Sequence, residues 1–239
     1  MKVFVLNGSG RGQKGTTGRL VKALSDGLSG AGAELKHCEI RLLKISPCIA
    51  CLSCMYKTFG QCPVKDDMEG IYEELKSADV LIMATPVYID TMSAQLKAVM
   101  DRCMCCMLPF LTKDSAGRVR HPYAWRMPAK FLLISTAAFP EMETFAPLIA
   151  TFRAEAANFG SESIGEICIP GSVALQTEPK RLEHHLKLLE EAGKLIAETG
   201  GLPADILKEL NTPPVTVEEY LTISAKYEAW CREQAKKNG

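Results

Sequence analysis

The sequence predicts an α/β protein built on one parallel sheet with helices on both faces. Three observations carry this. Short, nearly unbroken apolar runs recur along the chain, as in Lys2–Leu6, Val80–Thr85 and Lys130–Ser135. Each is followed by a segment with apolar residues at helical spacing. Glycine and proline punctuate the joins. Strands that are apolar on both faces belong to parallel sheets buried under crossover helices.

Element by element, Lys2–Leu6 is the first strand, stopped by Asn7-Gly8. Thr16–Leu28 is a helix with Leu20, Val21, Leu24 and Leu28 on one side. Glu34–Leu42 is a second, weaker strand. Residues 45–65 form a loop with two prolines and four cysteines. Asp66-Asp67 opens a helix to about Ser77, with Asp66 as its cap. Val80–Thr85 is the third strand, halted by Pro86, and Ser93 to about Cys106 is helical. Residues 107–128 form a long irregular stretch of the kind that serves as a lid or interface arm. Lys130–Ser135 is the fourth strand, Glu141–Phe159 a helix, Ser163–Ile169 the fifth strand and Pro179–Thr199 a helix. Gly200-Gly201-Leu202-Pro203 is the clearest break. The chain therefore divides into a body, residues 1–200, and a helical extension, residues 201–239.

Composition narrows the class. Among 239 residues, 28 Lys and Arg balance 28 Asp and Glu. A net charge of zero argues against a coat for nucleic acid or an anionic membrane. The longest nearly unbroken apolar run, Cys103–Leu111, is too short to cross a bilayer. Met1–Leu6 reads as a strand, not as the core of a signal peptide. Ten cysteines without an export signal fit a reducing, cytoplasmic compartment, where clustered thiols serve metal or redox chemistry and not disulfides.

Two segments carry candidate chemistry. After the first strand comes Gly8-Ser9-Gly10-Arg11-Gly12-Gln13-Lys14-Gly15-Thr16-Thr17, leading into a helix. Free amides at a helix start, with Ser, Thr and Arg donors nearby, suit a phosphate. The spacing is neither that of the P-loop nor that of the dinucleotide fingerprint. A flexible turn with a threonine helix cap is the plainer reading of the same residues. The second segment is Cys48-Ile49-Ala50-Cys51-Leu52-Ser53-Cys54, with Cys62 after seven residues. Compact cysteine runs with two-residue gaps hold iron–sulfur clusters. Structural zinc, whose ligand pairs are usually farther apart, and four unligated thiols are the alternatives. Cys103, Cys105 and Cys106 lie near the far end of a helix, away from the ligand edge, and read as core or subunit-interface residues. Cys38, Cys168 and Cys231 are isolated and read as structural. His184 and His185 read as surface residues, His121 as a loop residue, and Asp101-Arg102 as a structural ion pair or helix-end contacts.

Together these motifs resemble the NADPH-dependent FMN reductases and multimeric flavodoxins. The resemblance rests on Gly8-Ser9-x-Arg11 with Gly15-Thr16-Thr17, Ser46-Pro47-Cys48, Cys51, Cys54, Cys62, Asp66-Asp67-Met68, Thr85-Pro86-Val87-Tyr88, Ser93, Leu96-Lys97 and Asp101-Arg102, in that order. The four-cysteine loop narrows it to the iron–sulfur flavoproteins. It covers about residues 1–170. It implies a three-layer flavodoxin-like fold with strand order 2-1-3-4-5, FMN at the switch point between strands one and three, and a [4Fe–4S] cluster on Cys48, Cys51, Cys54 and Cys62. Ser9, Arg11, Gly15, Thr16 and Thr17 would take the FMN phosphate. Pro86, Val87 and Tyr88 would lie along the flavin, and Ser135, Thr136, Ala137 and Ala138 would close its other edge. The implied function is an FMN-dependent oxidoreductase passing electrons between NAD(P)H or ferredoxin and an acceptor such as a quinone. No side chain is expected to act as nucleophile or general base. Two other classes stay open: an NAD(P)H-dependent FMN or quinone reductase without a working cluster, and a non-enzymatic FMN-binding electron carrier. Apolar residues in the long loop (Leu108, Phe110, Leu111, Trp125) and in the tail (Leu221, Tyr227, Trp230) point to a homodimer or homotetramer.

Overall fold

A computed structural model describes residues 1–238 of the chain. Its centre is a five-stranded parallel sheet made of β1 (Lys2–Asn7), β2 (Glu34–Glu39), β3 (Val80–Pro86), β6 (Lys130–Thr136) and β7 (Glu162–Ile169), in the order β2-β1-β3-β6-β7. Two further short strands, β4 (Thr112–Lys113) and β5 (Val119–Arg120), pair with each other as an antiparallel hairpin inside the long loop. Leaving that hairpin aside, the order is the expected 2-1-3-4-5.

The central strands β1, β3 and β6 are largely apolar because each face of the sheet has its own core. Phe4 and Leu6, Leu81 and Met83, and Phe131 and Leu133 point to one side. There they meet α3 (Met68–Ser77), α4 (Ala94–Arg102) and α5 (Ala146–Phe159). Val3 and Val5, Val80 and Ile82, and Leu132 and Ile134 point to the other. That side is covered by α1 (Thr16–Gly30), α7 (Glu183–Thr199) and α8 (Ala204–Leu210). Alternation along a pleated strand produces this division. α1 and α7 touch backbone to backbone: a Cβ at Gly27 would lie 1.9 Å from the Glu190 carbonyl oxygen, and one at Gly193 would lie 2.3 Å from that of Leu24. Only glycine permits so close a crossing.

The structure differs from the sequence reading at several joins. The second strand ends at Glu39, because Ile40–Leu42 tightens into a 3₁₀ turn. The helices expected from Glu141 and Pro179 begin as 3₁₀ turns, Met142–Phe145 and Pro179–Leu182, before the α-helical bonding starts. Two short helices were not read from the sequence, α2 (Ser53–Tyr56) and α6 (Ser172–Thr177). In the segment after Gly201, Leu210 of α8 is fully buried in the sheet's core. The long final helix, α9 (Val217–Asn238), leaves Leu221, Tyr227 and Trp230 exposed. Its Ile223 packs with Ala174 of α6 and with Val215.

His185 is a correction. It is buried, not at the surface, and its Nε2 meets the Thr212 carbonyl oxygen at 2.8 Å. Burial lowers its pKa, so the ring stays neutral while packed under α8. His184, its neighbour, is exposed and faces Glu209. His121 is fixed within the long loop by the carbonyls of Leu108 and Phe110.

Candidate functional site

The loops at the carboxyl ends of β1, β3 and β6 converge at one rim of the sheet. Gly8 leaves β1 with its amide donating to the Ala84 carbonyl on β3. A Cβ at Gly8 would stand 2.8 Å from both Leu96 Cβ and Ser93 Oγ. The glycine therefore lets the loop run against the start of α4. Ser93 caps that helix, its hydroxyl accepting from the Leu96 amide, and its own amide donates to Thr85 Oγ1 at 2.9 Å.

The first turn of α1 follows. Ser9, Thr16 and Thr17 are buried, and Gly15 with them. No side chain caps this helix. A helix start carries amides with no partner inside the helix, and a buried start without a cap calls for a ligand or water. The alternative of a threonine acting as helix cap is thus not what the chain does. Thr17 Oγ1 instead lies 2.8 Å from Thr136 Oγ1, tying the phosphate-type loop to the end of β6. Arg11 is exposed and donates to Gln176 on α6.

On the opposite edge, Val87 donates its amide to the Thr136 carbonyl, and Ser135 its hydroxyl to the Thr85 carbonyl, both at 2.8 Å. Pro86, Val87, Ser135, Thr136 and Ala137 are buried or half-buried, while Ala138 is exposed. Tyr88 is half exposed and opens a tight turn closed by Thr91. Ile89 and Asp90 in that turn have φ of 46° and 63°. For a β-branched residue this left-handed backbone is strained, and such strain gathers at ligand-facing loops. The sequence reading puts Ser9, Arg11, Gly15, Thr16, Thr17, Pro86, Val87, Tyr88 and Ser135–Ala138 at one site; their loops lie at one rim of the sheet, with Arg11, Tyr88 and Ala138 exposed there.

The cysteine loop forms a second site. Cys48, Cys51, Cys54 and Cys62 line a single pocket with Ile49, Val64, Arg102 and Cys105. Ala50 and Leu52, on either side of Cys51, both have left-handed backbone, with φ of 51° and 55°. Two reversals in three residues bend the loop sharply around Cys51. The Ser53 amide and hydroxyl lower the pKa of Cys51 by hydrogen bonding to its sulfur. Desolvation raises that of Cys54. Trp125 from the long loop donates its ring N–H to the Gly60 carbonyl at 2.9 Å and braces the loop from outside.

Four loop thiols dominate the lining and its one carboxylate, Asp101, is engaged by Lys97, so the donor set suits a thiophilic centre. Among the described residues, no three Cys, His, Asp or Glu side chains already stand at metal-holding distances. The pocket gathers the donors without fixing their coordination geometry.

The sequence reading changes at three points here. Asp67 holds the cap position of α3 without a side-chain bond, while Asp66, one residue earlier, accepts from the Met68 amide of the first turn. Asp66 also accepts from the Ser46 amide and pairs with Arg102 at 2.8 Å. Burial alone would raise its pKa, but the bonds from Arg102 and the two amides outweigh it and hold the carboxyl below the usual range. Asp101 and Arg102 do not pair with each other, since Asp101 bonds Lys97. The Cys103–Cys106 turn also lies nearer the chemistry than the helix direction suggested. α4 has nine residues and so is about 13 Å long. Its end therefore stays within reach of the cysteine loop, and Cys105 lines the pocket. Cys103 and Cys106 are buried in the core, where desolvation raises their pKa values, that of Cys106 to about 12. Cys105 is raised to about 11 by burial as well.

A parallel sheet in this order, with an open helix start after its first strand, defines a flavodoxin-type α/β protein. The family described as NADPH-dependent FMN reductase matches residues 1–129, more than half of the chain, and the chain belongs to it. An iron–sulfur flavoprotein of Methanocaldococcus jannaschii is 35% identical over 117 residues, covering 49% of this chain and 59% of that one. One from Archaeoglobus fulgidus is 51% identical over 72 residues, covering 30% and 36%. The matches thus span only part of these relatives' lengths. Among solved structures, the NAD(P)H:quinone oxidoreductase of Methanothermobacter marburgensis aligns at a TM-score of 0.62 and 17% identity, over 82% of this chain and 96% of that one. An FMN-dependent NADH-azoreductase of Bacillus anthracis aligns at 0.61 and 14%, over 82% and 100%. At such identities the structural likeness establishes the fold.

Proposed function

We propose that the protein is an FMN-dependent oxidoreductase whose flavin is coupled to an iron–sulfur centre. When bound, FMN would supply two-electron chemistry and a [4Fe–4S] cluster one-electron chemistry, so that a donor of the NAD(P)H or ferredoxin class is connected to an acceptor of the quinone or protein class. Ser9, Thr16 and Thr17, with the open amides at the start of α1, would hold the phosphate, and Arg11 would leave Gln176 to add a charge. Val87 and Tyr88 on one side and Ser135–Ala138 on the other would orient the ring and exclude water from it. Cys48, Cys51, Cys54 and Cys62 would hold the cluster. Hydrogen bonding from Ser53 favours the thiolate form of Cys51.

Residues 1–200 serve as the cofactor-binding unit and 201–239 as an appended helical segment. The protein works as a homodimer or homotetramer in the cytoplasm. Among the described residues, no helix is long and apolar enough to cross a membrane.

The single observation that carries this reading is the gathering of four loop thiols around one pocket. It is supported by the family match and by relatives named as iron–sulfur flavoproteins. Anaerobic purification followed by counts of iron, sulfide and flavin, with a visible spectrum, tests it. FMN with iron and sulfide, and a broad absorption band beneath the flavin bands, is the expected result. FMN without iron would leave a plain FMN-dependent reductase, and no flavin would overturn the assignment.

A further inference from the structure

Arg102 carries one of the most buried charges in the molecule, its side chain 1% exposed. A guanidinium has five N–H donors. Nη1 donates to the Ser46 carbonyl and to Asp66 Oδ2, both at 2.8 Å. Nη2 donates to the Val64 carbonyl and to Asp66 Oδ1, both at 3.2 Å. Ser46 stands two residues before Cys48, and Val64 two residues after Cys62. One side chain therefore holds both ends of the cysteine loop, and Asp66 accepts from the Ser46 amide to close the lock. The fifth donor, Nε–H, is buried and has no partner among the described residues. Leaving a buried donor unmet costs free energy, so it calls for an acceptor. Arg102 lines the same pocket as Cys48, Cys51, Cys54, Cys62 and Cys105. The one carboxylate in that lining, Asp101, bonds Lys97, which leaves the sulfurs as its free side-chain acceptors.

We propose that Arg102 is the positioning residue of the cysteine centre: its fork to Asp66 fixes the spacing of the loop's two ends, and its Nε–H and charge serve an anionic sulfur of the loaded centre. This rests on the reading of the four cysteines as cluster ligands. A buried ion pair adds little net stability over an apolar replacement, and its best-attested use is to fix a register. Here the register is that of Cys48–Cys54 against Cys62. Hydrogen bonds to sulfur and nearby positive charge favour the reduced, more negative form of an iron–sulfur centre and raise its potential.

Full-length wild type, Arg102→Met, Arg102→Lys and Asp66→Asn would each be reconstituted anaerobically with ferrous iron and sulfide. Three readings are taken: iron per chain, midpoint potential, and the rate at which iodoacetamide alkylates the loop thiols in the iron-free protein. Circular dichroism checks folding. Arg102→Met should lose most of its iron, alkylate faster, and shift any remaining centre to a more negative potential. Arg102→Lys keeps the charge but cannot bridge Ser46 and Val64. It should alkylate as fast as Arg102→Met while its potential stays nearer to wild type. Asp66→Asn should alkylate faster without any negative shift.

If Arg102→Met fails to fold, the other two variants decide. Wild-type loading, potential and alkylation in the folded variants would overturn the inference alone. A wild-type protein that takes up no iron would overturn the cluster reading, and the inference with it.

Discussion

Thr17 and Thr136 offer a way to separate what stabilises the fold from what binds FMN. Their hydroxyls lie 2.8 Å apart, with 2% and 3% of each residue exposed. Thr17→Val removes one partner and leaves the Thr136 hydroxyl buried without one, a loss of about 1–3 kcal/mol. With a urea slope of about 2 kcal/mol per molar, that lowers the unfolding midpoint of the flavin-free protein by about 0.5–1.5 M. Thr17→Val/Thr136→Val removes both hydroxyls, and the paired loss should be nearly neutral because no polar group is left stranded. The double variant should therefore recover most of the midpoint. FMN affinity should behave differently. Thr17 is assigned to the phosphate, so both variants should bind FMN about tenfold or more weaker by fluorescence titration. Equal stability of the single variant and wild type would refute the pairing. Full FMN affinity in the double variant would refute the phosphate role of Thr17.

Further outcomes follow from the same geometry. Arg11→Ala should weaken FMN by about 1.5 kcal/mol, the low end for a charged hydrogen bond, since Arg11 is exposed and must first leave Gln176; iron content should not change, and equilibrium dialysis with an iron assay checks both. Asp66 has a folded pKa below its unfolded value of about 3.9, so its contribution to stability is complete above that pH and is lost as pH falls through the folded value. The midpoint difference between iron-free wild type and Asp66→Asn in urea should therefore be largest near neutrality and shrink at acid pH, and a difference that grew on acidification would contradict the pairing. The exposed Phe110, Leu111, Leu221, Tyr227 and Trp230 should be covered by a second copy, so light scattering should give a dimer or tetramer at micromolar concentration, and a monomer would refute it.

The sheet was legible because its strands are buried on both faces. Val80–Thr85 and Lys130–Ser135 carry apolar residues at consecutive positions, a signal that needs no partner to be read. The four cysteines could be singled out by their spacing within one loop, although residues of α4 and the turn after it complete the pocket they share. What could not be read depends on distant parts of the chain. Arg102 reaches the Ser46 carbonyl across 56 positions, and nothing near either residue announces the bond. Cys105 joins the pocket because α4 is short and the cysteine loop drapes over its end, which helix direction alone misplaced. His185 reads as a surface residue from its helix alone because its burial depends on the segment after the break at Gly200, where the Thr212 carbonyl meets its ring. The hairpin of β4 and β5 has two residues in each strand, too few for any periodicity to show.

If FMN and the iron–sulfur centre occupy separate loops of one chain, as proposed, the centre can be lost without the flavin. Iron, sulfide and FMN counted side by side in wild type and Cys51→Ser, both prepared without oxygen, test it most directly. Serine offers a hard, weakly acidic oxygen where the iron needs a thiolate. Cys51→Ser should lose iron and sulfide, or hold them only loosely, while it keeps its full FMN. A Cys51→Ser protein with undiminished iron and sulfide would contradict the assignment of the ligands, and one that stays folded but loses FMN together with iron would contradict the separation of the two sites.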